Sequence, residues 1–316
     1  MKNIVFVFVA LLIFSCNAQE KEVAKPIKIS ADGVKDVVTF LASDDIEGRD
    51  TGSEGIDEAA TYVEKQLKSF GVKPFYETYR DNFKAKEQDA FNVVGYLEGT
   101  DAKLKDEVVI IGAHYDHIGY RSKPVENDSI GNGANDNATG TATVLAMAKY
   151  FGARKNNKRT IVFALFSAEE MGLLGSKHLA KRMKNENVNL YTMINFEMMG
   201  VPFTDRDYQA MISGYDLSNM AEVLNKHAGS KVFGRSEVAV KYNLFKRSDN
   251  YPFYEEFKVP AQTLSSCDLT NFDFYHHVDD EADKMDYKFM ASIINDMMPA
   301  VEGMINAETQ EIKMNE

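Results

Sequence analysis

Apolar residues recur along this chain with two alternating periods. Ile56, Ala59, Ala60, Val63, Leu67 and Phe70 share one face at spacings of three and four, which predicts a helix that Gly71 stops. Val93 to Leu97 reads as a strand. Val108-Val109-Ile110-Ile111 is an unbroken apolar run, as a strand buried on both faces requires. Ala142, Leu145, Ala148 and Phe151 return to the helical spacing, and Ile161 to Phe166 is a second buried strand. A helix around Leu174 to Met183, a strand over Tyr191 to Phe196 and a closing helix from Tyr287 to Ile305 complete the pattern. Strands separated by helices imply an α/β fold, with a mainly parallel central sheet flanked by helices on both faces. Residues 201–260 show no clear period and are expected to decorate that core rather than to form a second domain.

The first residues stand outside this pattern. Lys2 precedes an apolar run from Ile4 to Phe14, too short for a bilayer span of about 20 residues and suited to a secretory signal. Its end, Ile13-Phe14-Ser15-Cys16, resembles a bacterial lipobox, with Phe14 departing from the usual residue; the resemblance implies lipidation of Cys16. The expected organisation is a signal segment over residues 1–16, a polar tether over 17–31, one domain over 32–308 and a tail over 309–316. The protein would then be exported and held to a bacterial cell-envelope membrane through Cys16 alone. Cleavage near Ala18 with free secretion is the other reading.

Composition narrows the function. The 316 residues are 44% hydrophobic and 27% charged, an ordinary globular mixture. A net charge of −12 argues against a nucleic-acid partner, whose phosphates demand clustered Lys and Arg. Two cysteines allow no disulfide scaffold. With Cys16 lipidated, Cys267 is expected to be a buried structural thiol.

Candidate chemistry collects where the predicted strands end, the place where open α/β sheets form their sites. His114-Tyr115-Asp116-His117 follows one strand and Gly133-Ala134-Asn135-Asp136-Asn137 precedes a helix. Ser167-Ala168-Glu169-Glu170 follows the next strand, Glu197 the one after, and Tyr275-His276-His277 lies near the C-terminus. Singly, each has an ordinary explanation: Asp136 as a helix cap, Glu169-Glu170 as a solvated pair. Together, Asp136, Glu169, Glu170 and Glu197 would crowd carboxylates at one rim of a sheet, where like charges repel. Two divalent cations would relieve that conflict, and mixed imidazole and carboxylate donors suit zinc.

These motifs, with Ile46-Glu47-Gly48-Arg49 and Thr51-Gly52 ahead of them, resemble in order and spacing the co-catalytic di-zinc aminopeptidases of metallopeptidase family 28, over roughly residues 32–308. The resemblance implies a zinc-exopeptidase (phosphorylase/hydrolase-like) fold and two Zn²⁺ per chain. His114 and Glu197 would hold the first ion, Glu170 and His276 the second, and Asp136 would bridge both; Glu197 stands where many relatives carry Asp. Asp116 would orient the His114 ring, and the turn at Asn135-Asp136 would aim the bridging carboxylate. Glu169 would be the general base, taking a proton from a water held between the metals and passing it to the leaving amine. Tyr275 matches a position that in some relatives hydrogen-bonds the oxyanion; simple packing is its other reading. His117 and His277 are expected at the site rim or in packing, Ser248-Asp249-Asn250 and Phe253 as cleft architecture, and Met198-Met199 as core filler. The implied substrates are peptides with a free N-terminus, since no Arg adjoins the five motifs to clamp a C-terminal carboxylate; Arg121 and Arg247 are the nearest. The alternatives are a carboxypeptidase or glutaminyl cyclase of the same fold, and a non-catalytic peptide-binding ectodomain.

Overall fold

The structure is a computed structural model that describes residues 27–316. The signal and most of the tether, Cys16 included, lie outside the described residues. The first helix, α1 (Ala31–Leu41), begins where Ser30 accepts a hydrogen bond from Gly33 N, and α2 (Glu54–Ser69) begins at a like cap on Ser53. Strands β1 (Lys73–Pro74), β2 (Arg80–Ala85), β3 (Gln88–Leu97) and β4 (Val108–His114) follow. A hairpin of β5 (Gly119–Val125) and β6 (Asp128–Gly131) then leads through a tight turn into α3 (Gly140–Arg154). The chain continues as β7 (Thr160–Phe166), α4 (Leu174–Asn185), β8 (Leu190–Glu197), β9 (Ala210–Ile212), α5 (Met220–Ala228), β10 (Phe233–Gly234), α6 (Glu237–Lys241), α7 (Asn250–Phe257), β11 (Ala261–Ser265) and α8 (Tyr287–Asn306).

Strand order across the main sheet is β1-β3-β7-β4-β8-β11-β9-β10, with β2 paired to β3. The middle four strands, β7, β4, β8 and β11, are parallel, and antiparallel β3 and β9 flank them. Every residue of β4 and β7 is buried, as their unbroken apolar runs require. Alternation splits each run between two cores. Val109, Ile111, Phe163 and Leu165 pack beneath α1, α2, α3 and α8. Val108, Ile110, Val162 and Ala164 meet Leu179 and Met183 of α4 and Phe253 of α7 on the opposite face. Full burial of one such side chain is worth roughly 1.5–3 kcal/mol. The α/β architecture is therefore the one the periodicity predicts.

Strand β11 was not legible. Its polar Gln262, Thr263 and Ser265 interrupt any apolar run, yet every residue in it is buried. Those side chains are satisfied internally: Gln262 donates to the carbonyls of Ser213 and Gly214, and Thr263 to Asn250 Oδ1 at 2.7 Å. The domain also extends past its expected limits. Ile29 is buried and pairs through its backbone with Asn295, while Ile312 is buried and Met314 bridges to Ser218. Among the described residues no helix is long and apolar enough to cross a membrane.

Candidate metal centre

The parallel strands bring their carboxyl ends to one rim, and the motifs lie along it. His114 is the last residue of β4 and Glu197 the last of β8; Glu169 and Glu170 follow β7 directly. Asp136 arrives from the turn before α3, held on both sides. Asp280 accepts the backbone N–H of Asn135 and of Asp136 at 2.7 and 3.0 Å. Asn135 Oδ1 accepts from Gly200 N, and Asn137 joins Phe196 O and Met198 N, tying the turn to the end of β8. The peptide bond after Asp136 is cis.

Two donor sets meet at Asp136. His114 Nε2 lies 3.2 Å from Asp136 Oδ1 and 3.2 Å from Glu197 Oε1. His276 Nε2 lies 3.2 Å from Asp136 Oδ2 and 3.1 Å from Glu170 Oε2. Donors around a tetrahedral zinc with bonds of about 2.0–2.2 Å stand about 3.3 Å apart, so both spacings fit an ion. His276 Nε2 is buried with no hydrogen-bond partner, as is Glu170 Oε1, the state expected of lone pairs aimed at a cation. The electrostatics agree. Burial opposes a charge on His114, yet Glu197 and Glu169 raise its pKa well above the usual imidazole range. His276 is pushed up to about 10, where Asp136 and Glu170 overcome the same burial penalty. Burial works against ionised Asp136 too, but His114 and His276 hold it well below the carboxylate range. Each imidazole thus stands among carboxylates that favour positive charge beside them.

Glu169 belongs to neither donor set and lines the same cleft. Burial lifts its pKa well above normal; His114 opposes this, while Asp249, Glu197 and Glu170 add to it. Asp116 touches more than His114. The nearest contact of His114 Nδ1 is the Asp116 carbonyl at 3.1 Å, with the carboxylate at 3.6 Å, and that carboxylate accepts the backbone N–H groups of Glu169 and Glu170 at 3.2 and 3.3 Å. Tyr275 is part-exposed, stacks on His276 with ring centroids 4.0 Å apart, and forms one wall of the cleft. Burial and the neighbouring carboxylates raise its pKa.

Other residues near the centre fall as follows. His117 is fully buried, the second of its two expected places, 3.0 Å from Glu170 Oε1 and grouped with Asp136 and Glu170. Its only sequence signal was a second imidazole three positions after His114. His277 is half-exposed and faces Asp279. Met198 is buried in the core with Met199, as expected, and also lines the cleft with Met211, Leu244 and Leu269. Cys267 is a free, buried thiol whose pKa burial pushes up to about 12, and it lines the cleft as well. Ser248 acquires a role: it donates to Glu197 Oε2 at 2.8 Å. Asp280, which holds the turn bearing Asp136, carried no signal in the sequence, and Arg49, part of the Ile46-Glu47-Gly48-Arg49 motif, had no role assigned there.

A carboxylate-bridged pair of imidazole and carboxylate donor sets, at the strand ends of a mostly parallel sheet, is the architecture of a metal-dependent hydrolase. The model of peptidase family M28 matches residues 92–301, and the chain belongs to that family. A probable zinc metalloprotease of Pyrenophora teres f. teres is 42% identical over 108 residues, covering 34% of this chain and 22% of its own length. A probable leucine aminopeptidase of Arthroderma otae is 31% identical over 157 residues, covering 48% of this chain and 39% of its own. The chain thus spans well under half of these curated relatives. Among solved structures, a zinc aminopeptidase from Bacillus subtilis superposes with a TM-score of 0.68 at 14% identity, over 91% of this chain and 98% of that one. Porphyromonas gingivalis glutaminyl cyclase gives 0.66 at 16%, over 87% and 98%. Both show the fold.

Proposed function

We propose that the protein is a di-zinc aminopeptidase that removes N-terminal residues from peptides. The observation that carries this reading is the pair of donor sets sharing Asp136, with Glu169 in the same cleft but outside both. The names of the curated relatives, zinc metalloprotease and leucine aminopeptidase, support it. When bound, two zinc ions acidify a water and polarise the scissile carbonyl. Asp136 would hold both ions, with His114 and Glu197 as donors to one and Glu170 and His276 to the other. Glu169, with its raised proton affinity, takes the proton of the attacking water and hands it to the leaving amine. Tyr275, at the cleft wall beside His276, donates to the developing oxyanion. The substrate's α-ammonium sits against the acidic rim.

One observation favours a second reading. Arg121 is engaged with the His276 carbonyl, but Arg247 is exposed and lines the cleft, where a guanidinium suits a terminal carboxylate. Paired peptides that differ only in N-acetylation separate the two. Shortening of the free peptide from its N-terminus, with the acetylated one resistant, is the expected result. Equal cleavage of both, or shortening from the C-terminus, overturns it. Loss of ammonia from an N-terminal glutaminyl peptide without shortening would identify a cyclase.

The reading includes export and attachment to the bacterial cell envelope through a lipid on Cys16, supported by the sequence of residues 1–16 alone. Cys16→Ser is expected to leave the protein unprocessed or soluble. A mature N-terminus downstream of Cys16 without lipid, found by mass spectrometry, overturns it.

A further inference from the structure

We propose that His117 is a protein ligand of the ion held by Asp136, Glu170 and His276. That site is then closed by two imidazoles and two carboxylates, while the His114 site keeps one imidazole, two carboxylates and an open position. The inference rests on the two-ion reading above.

His117 is fully buried, and neither ring nitrogen has a hydrogen-bond partner. A buried polar group left in that state costs about 1–3 kcal/mol. Nδ1 nevertheless lies 3.0 Å from Glu170 Oε1, itself unpartnered, and 3.8 Å from Asp136 Oδ2. Two polar atoms that close, yet not in hydrogen-bonding geometry, point to a shared third body. The other oxygen of Glu170 is 3.1 Å from His276 Nε2, so the carboxylate stands between the two imidazoles. The rings meet edge to face with centroids 5.6 Å apart, which keeps them from stacking against each other.

The ring is also fixed in place. His117 N donates to Arg49 O at 3.2 Å. Gly133, in a left-handed conformation at φ 56°, lies against the imidazole, and a Cβ there would fall 2.4 Å from Cγ and 2.5 Å from Cδ2. Only glycine lets the turn carrying Asp136 pass this close to the ring. Four protein donors make a closed site of the kind that retains zinc, whereas three leave a position for water or substrate. The two ions should therefore leave in order, the His114-site ion first.

The test counts zinc per chain by elemental analysis as the zinc-loaded full chain is dialysed against rising chelator. The wild type is expected to lose its ions in two steps. In His117→Ala the later step should move to at least ~10-fold lower chelator, the scale on which even outer-shell partners act. His117→Asn, which keeps a polar group beside Glu170, should behave as His117→Ala does; wild-type retention would show that His117 only positions Glu170 and would overturn the proposal. His277→Ala is expected to leave both steps unchanged. A measurement on the unaltered chain stands beside the variants: with cobalt in both sites, three metal-shifted imidazole N–H resonances are expected, and two would exclude His117. Wild-type protein that binds no zinc defeats the two-ion reading and this inference together. Two ions bound by every form with superimposed curves defeat the inference alone.

Discussion

Arg49 offers the strictest test of how the site is held. Its side chain is fully buried, and its guanidinium donates to four backbone carbonyls: Tyr115 at 2.8 Å, Asn132 at 2.6 Å, Gly133 at 2.9 Å, and Leu41. One fork thus joins the end of α1, the loop after His114 and the turn before Asp136. Burial pushes its pKa down to about 10, against the pull of Asp280, Asp116, Asp136 and Glu170, so it stays cationic at neutral pH. Arg49→Lys keeps that charge and removes the fork. An ammonium at the same depth reaches one or two of the four carbonyls, leaving at least two buried acceptors without a donor. At about 1–3 kcal/mol for each unsatisfied group, with partial relaxation, the variant should lose about 3–5 kcal/mol. That is a large share of the roughly 5–15 kcal/mol typical of a folded domain. Urea unfolding of the metal-free protein measures it, with the slope compared to confirm that the same surface is exposed. Metal retention should weaken as well, because the carbonyls released belong to the turn that aims Asp136. A loss below about 1 kcal/mol, with the slope unchanged, would show that the fork is dispensable and refute the reasoning.

Further expectations follow from other parts of the molecule. Glu169→Gln should keep both metals and lose about 10²–10⁴ in turnover; near-normal turnover in metal-replete protein would remove Glu169 as the base. Asp81, on β2 and buried against α4, accepts from Arg182 at 2.6 Å, Asn92 at 3.2 Å and His178 at 3.3 Å. Burial alone would raise its pKa, but His178, Asn92 and Arg182 together lower it. Its folded value therefore lies below the unfolded value of about 3.9. The stability it contributes is present above that value and disappears as pH falls through the depressed one. Asp81→Asn should cost about 1–3 kcal/mol at neutral pH, with the gap narrowing in urea titrations below about pH 4; a gap that stays constant would exclude the linkage.

The sequence determined the architecture because the signal there is local and redundant. The runs at Val108–Ile111 and Ile161–Phe166 are apolar on both faces, so each had to lie in a sheet covered twice, and the helical spacings between them supplied the cover. It also singled out the candidates for the chemistry, since His114, Asp136, Glu169, Glu170, Glu197 and His276 each belong to or follow a recognisable element or motif. What it left to the tertiary structure are the partners that adjacency in sequence does not reveal. Strand β11 is polar by composition and buried only because Ser213, Gly214 and Asn250 satisfy its side chains. Asp280, 144 positions after Asp136, reaches its backbone across the sheet rim. Arg49 belongs to a recognisable motif, but its role shows only where four carbonyls converge on it. His117 shows the limit most plainly: three residues from His114, it turns its imidazole to the Glu170 side of the centre. Hydrophobic periodicity reports which face of an element is buried. Where a side chain points once buried is settled by the fold around it, here by Gly133 leaving room for a ring.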